Sequence, residues 1–106
     1  MSFDDDRAKA FEDKYAHDLT MKFKIHTRTS KLFGLWAAAE MDLQQEARAQ
    51  YAAHMIETSL NSPTLDVLVK KVTQDFSESG VNKTINHISF ELDKCLKTAE
   101  QQVLQG

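Results

Sequence analysis

Between Met1 and Ala38 a charge-dense stretch runs into the apolar block Lys31-Leu32-Phe33-Gly34-Leu35-Trp36-Ala37-Ala38 with no proline in its way. Within it Phe11, Tyr15, Leu19 and Phe23 recur every four positions, which on a helix makes one slowly rotating stripe between acidic and basic flanks. A segment this polar cannot close a core by itself. The stripe therefore calls for a partner, either the rest of the chain or another protein.

The first helix can open at Asp4, Asp5 and Asp6, whose carboxylates suit free amide groups and the positive end of the helix dipole. Continued to about Glu40 it would exceed about 50 Å, too long to pack wholly against the shorter segments that follow. Thr27-Arg28-Thr29-Ser30 gathers weak helix formers and marks the expected boundary between a loosely held arm and a packed portion beginning near Lys31.

Three further helices follow from periodicity. Asp42 with Gln45 three positions on reads as a capping box for a helix carrying Ala47, Tyr51, Ala52, Met55, Ile56 and Leu60 on one face. Ser62-Pro63 reads as a cap and first helical residue, followed by Leu65, Leu68, Val69, Val72 and Phe76, with Gly80 as terminator. After Val81-Asn82, the residues Ile85, Ile88, Leu92, Cys95, Leu96, Ala99 and Val103 line the last helix. Short connections make neighbours antiparallel, so the expectation is all-α: a small four-helix bundle with a mobile amphipathic N-terminal arm.

Length and composition agree with this. The chain has 106 residues, enough for a single domain over 1–106, with an arm over 1–20 and a bundle over 31–104. Its glycines are Gly34, Gly80 and Gly106 and its only proline is Pro63, which favours helices over turn-rich sheet. A net charge of −3 supplies no general field for nucleic acid, and the one basic concentration, Lys22 to Lys31, is broken by hydroxyl and apolar residues. Cys95 is the sole cysteine, which excludes an intrachain disulfide and suits a reducing cytoplasm. The acidic start is unlike a signal peptide, and no apolar run approaches the roughly 20 residues of a membrane span. A cytoplasmic protein without direct membrane insertion is expected.

The sequence carries few groupings suited to chemistry. Asp13 with His17, His17 with Asp18, and His54 with Glu57 share helix faces, but each lacks the three or four converging ligands of a metal site, and solvated surface is the better reading. Cys95 falls on an apolar stripe, where it serves as a small hydrophobe. No glycine-rich phosphate loop is present, so no catalytic residue, metal or cofactor is expected and the chain reads as a non-enzyme. Phe33 and Trp36 read as core, with Gly34 admitting close approach of another helix.

Phe3-Asp4-Asp5-Asp6-Arg7, Phe11-Glu12, Lys14-Tyr15-Ala16-His17-Asp18, Phe23-Lys24 and the block Lys31 to Ala38 together resemble the zeta-subunit family of ATP synthase inhibitors from alphaproteobacteria. Lys71 to Phe76 and Gly80-Val81 extend the similarity over nearly the whole chain. The resemblance implies a four-helix bundle whose N-terminal segment becomes helical on entering a catalytic alpha/beta interface of the ATP synthase head and blocks hydrolytic rotation. Carried over by position, the partner-binding residues are Arg7, Phe11, Lys14, Tyr15 and His17. The implied partners are the alpha, beta and gamma subunits, at the cytoplasmic face of the membrane-bound enzyme. Two departures stand out: Phe3 and Phe11 are one residue further apart than in the family pattern, which turns Phe3 by about 100° on a helix, and Asp18-Leu19-Thr20 and His26-Thr27-Arg28-Thr29-Ser30 replace more acidic and more basic family stretches. The competing expectation is a helical adaptor or assembly protein of the same complex that has lost effective inhibition.

Overall fold

A computed structural model describes the backbone of residues 3–105 and the side chains of residues 18–105. Four helices follow one another, α1 (Phe3–Glu40), α2 (Gln45–Leu60), α3 (Asp66–Ser79) and α4 (Ile85–Gln105), and the described residues include no strand. Each helix packs on its sequence neighbour, and α4 returns to α1, closing a ring of four. At about 1.5 Å per residue α1 is about 57 Å long and α4 about 32 Å, so no other helix can match α1 along its whole length. The arm expected over residues 1–20 lies largely outside the described side chains.

The core is built as the periodicity requires. Phe33 and Ala37 from α1, Met55 from α2, Leu68, Val72 and Phe76 from α3, and Ile88 and Leu92 from α4 form one buried cluster. Each large side chain fully withdrawn from water contributes about 1.5–3 kcal/mol, so the cluster rather than local propensity holds these helices together. Trp36 is half-buried at its edge, stacked on Phe33 at 5.7 Å and on His87 at 6.1 Å, with Phe76 tilted against it at 5.6 Å. Ile85, expected on the inner face of α4, is instead 59% exposed, because it occupies the first turn before that helix reaches the core.

Three expected boundaries move. Thr27 to Ser30 is not the edge of the packed portion of α1. Thr29 and Ser30 are fully buried, their hydroxyls donating to the carbonyls of Ile25 (2.7 Å) and His26 (2.8 Å) one turn earlier, which lets weak helix formers enter a packed face. The packed portion thus begins before Lys31, at His26, whose Nε2–H donates to the Ser59 carbonyl at 3.0 Å.

Asp42 does not cap α2. It adopts the left-handed conformation (φ 58) just beyond α1, with its amide donating to Ala39 O at 3.1 Å and that of Leu43 to Ala38 O at 3.0 Å. That pair of bonds closes the carbonyl end of α1, a role aspartate fills because it tolerates the left-handed region. The N-cap of α2 is Gln44, without a side-chain cap bond.

Ser62-Pro63 stays in the connection, and α3 begins at Asp66. The Ser62 hydroxyl accepts from the Thr64 amide at 3.4 Å, forming a local turn in place of a helix cap. Gly80 closes α3 as expected, at φ 73 with the Val81 amide donating to Phe76 O at 2.9 Å. Thr84, which periodicity does not reveal, caps α4 by accepting from the His87 amide at 3.1 Å.

Candidate partner-binding surface

Arg7, Phe11, Lys14, Tyr15 and His17 all belong to α1, at positions whose side chains lie outside the described residues. Of the stripe, the described side chains are those of Leu19 and Phe23. Leu19 is 48% exposed and Phe23 58%, far from the burial that a core position would give them. They mark where α1 meets the end of the bundle.

Phe23 stands between two hollows there. On one side, Lys22, His26, Ser59, Leu60, Ser62 and Pro63 surround it, and Leu60 is itself half-exposed. On the other side Phe23, Lys24, Thr27, Arg28 and Lys31 of α1 face Gln102 and Val103 of α4 across a groove of about 490 Å³. The Arg28 Nη1 donates to Gln102 Oε1 at 2.9 Å, tying the last turns of α4 to α1. Thr27 Oγ1 is the one buried side-chain oxygen or nitrogen among the described residues without a hydrogen-bond partner.

The charge in this groove has one sign. From Leu19 to Ala39 the sequence carries Lys22, Lys24, Arg28 and Lys31 and not one carboxylate, in a chain whose net charge is −3. Ion pairs among the described residues engage Lys71, Lys83 and Lys94, but none of these four cations. By contrast the groove between α3 and α4, about 800 Å³, mixes Asp66 and Glu78 with Lys70. This is the basic run, Lys22 to Lys31, whose hydroxyl and apolar interruptions speak against nucleic acid. The absence of any Asp or Glu across those positions was the signal that it forms a distinct surface.

The remaining reactive groups are explained by packing. The Tyr51 hydroxyl donates to Asp75 Oδ2 at 2.7 Å, and Lys71 Nζ donates to Asp75 Oδ1 at 3.1 Å. Burial, then the bond to Asp75 and its charge, push the Tyr51 phenol far above its ordinary value. Burial, aided by Glu91 and opposed by Lys94, pushes the half-buried Cys95 thiol up to about 11, the reverse of what a nucleophile needs. His54 and Glu57 are both exposed. No group of three or more His, Cys, Asp or Glu among the described residues is arranged to hold a metal ion.

The geometry therefore defines a helical protein whose distinctive features are exposed apolar and basic side chains beside a closed core, which suits protein binding. The family model described as ATPase inhibitor subunit zeta matches residues 1–102, and the chain belongs to that family. No curated protein and no solved structure matches it. No described helix is long and apolar enough to cross a membrane.

Proposed function

We propose that this chain is a non-catalytic regulator of the F-type ATP synthase that stops ATP hydrolysis by inserting the N-terminal part of α1 into a catalytic alpha/beta interface. The observation that carries this reading is the family match, which takes in the N-terminal segment together with the bundle. Arg7, Phe11, Lys14, Tyr15 and His17 are the residues proposed to meet the partner, and the core around Phe33 and Phe76 serves as the holder that limits insertion. The alpha and beta subunits supply the groove, and gamma is blocked or contacted within it. This happens at the cytoplasmic face of the membrane-bound enzyme.

The fold supports the mechanism in one respect. Helix α1 is a single element from Phe3 to Glu40, so whatever holds the N-terminal segment is coupled mechanically to the bundle. In a helix-in-groove mode, apolar side chains at four-residue spacing supply grip and flanking charges supply register.

Adding purified protein to the isolated ATP synthase head tests the reading. A dose-dependent fall in steady-state ATP hydrolysis is expected. Binding to the head without any fall in hydrolysis would instead identify an adaptor or assembly protein.

A further inference from the structure

We propose that the groove between α1 and the end of α4, lined by Phe23, Lys24, Arg28, Lys31 and Val103, is a second docking surface, and that its occupant is an acidic segment of the same ATPase head. This rests on the proposed function, which places the preceding part of α1 in that head.

Charge is the first argument. Lys24, Arg28 and Lys31 are spaced four and three residues apart, so they share one face of α1 and edge one groove. No carboxylate among the described residues pairs with them, and the partner of Arg28 is the neutral amide of Gln102. Three cations on one helix face with no counter-charge among the described residues favour an anionic partner and speed its approach.

Apolar exposure is the second. Phe23 leaves 58% of its surface in water beside those cations, although a core with room for Phe33 and Phe76 lies on the same bundle. An aromatic ring ringed by like charges is the arrangement in which a buried anchor is surrounded by a polar rim on binding. Register is the third. Phe23 and Leu19 continue at four-residue steps the positions of Tyr15 and Phe11, so a partner that grips the arm is led along α1 into this groove. The complementary segment is a helix or strand with two or more Asp or Glu flanking an apolar side chain.

Three full-length variants test this, with affinity for the isolated head measured at low and moderate salt and folding checked by thermal melting. Lys24→Gln, Arg28→Gln and Lys31→Gln combined should weaken binding about tenfold or more and flatten its salt dependence. Lys70→Gln, Lys94→Gln and Lys97→Gln combined remove the same charge from α3 and α4 and should change affinity by less than about twofold. Phe23→Ala should weaken binding about fivefold or more, and because that side chain is exposed it decides the matter if the first variant fails to fold. Parental affinity and salt slope in the groove variant, or an equal loss in the charge control, would overturn the groove. A chain lacking Met1 to Asp18 that still inhibits fully would overturn arm insertion instead, leaving the groove to be judged by affinity. Absence of any binding by the parent chain would overturn both.

Discussion

Gly34 lies so close to Ala52 that a Cβ added to it would stand 2.8 Å from Ala52 Cα, with Met55 Cγ at 3.1 Å. A methyl group cannot occupy that position, and the obstructing atom is backbone, which cannot swing aside. The α1 and α2 helices thus touch through a glycine.

Gly34→Ala should destabilise the protein. The substitution gains about 1 kcal/mol of helix propensity, but overpacking against Ala52 and Met55 costs about 1–3 kcal/mol, and a backbone obstruction belongs at the upper end. A net loss of about 1–2 kcal/mol is expected, read as a lower melting temperature. A melting temperature above that of the parent would show that α1 and α2 can separate freely.

Tyr51 and Asp75 give the fold an alkaline limit. The folded state holds the Tyr51 phenol protonated well above its ordinary value, whereas the unfolded chain releases that proton near pH 10. Stability from this group is complete below about pH 10 and is lost as pH rises beyond it, because only the unfolded state then gains by ionising. Tyr51→Phe should cost about 1.5 kcal/mol at neutral pH, the worth of a bond to a charged group, and should make the alkaline decline shallower. Urea unfolding at neutral and strongly alkaline pH measures both effects. Identical alkaline declines in the two proteins would contradict the assignment.

The core and the ends of the helices were unequally legible in the sequence. Leu68, Val72 and Phe76, Ile88 and Leu92, and Phe33 announced themselves by spacing alone, because burying an apolar stripe is a requirement that few arrangements meet. Asp42 misled because aspartate suits both a helix N-cap and the left-handed residue after a helix, and the choice fell to the carbonyls of Ala38 and Ala39. Thr29 and Ser30 misled because their weak propensity is offset by bonds to carbonyls one turn back. The bond from His26 to Ser59 joins residues 33 apart, and the groove edged by Lys24, Arg28 and Lys31 needs α4 as its other wall. Neither can be read without the tertiary fold. The partner-binding positions from Arg7 to His17 came from family resemblance, since periodicity reveals a stripe but not what covers it.

Thr27→Val should stabilise the protein by about 1 kcal/mol. The Thr27 hydroxyl oxygen is buried without a partner, so removing it relieves a desolvation cost, and the β-branched shape is kept. Thermal melting is again the measure. An equal or lower melting temperature would mean that the hydroxyl finds a partner in solution, and Thr27→Ser would then retain parental stability.

Removing Met1 to Asp18 should leave the bundle folded and abolish inhibition of ATP hydrolysis. The core cluster begins at Phe33, and the hydrogen bond of His26 to Ser59 ties α1 to α2 beyond the removed segment, so both stay in the truncated chain. The proposed anchors Phe11 and Tyr15, by contrast, leave with it. Phe11→Ala and Tyr15→Ala together should imitate the deletion, at about 2 kcal/mol or more for each aromatic that fills a pocket in the partner. Changing Asp4, Asp5 and Asp6 to asparagine should do less, because charges near a solvated helix end contribute about 0.3–1 kcal/mol each. Hydrolysis titrations with all three proteins, alongside circular dichroism to confirm the bundle, separate these effects. Full inhibition by the truncated chain would move the blocking surface onto the residues that follow Asp18, with the basic groove beside Phe23 as its first candidate.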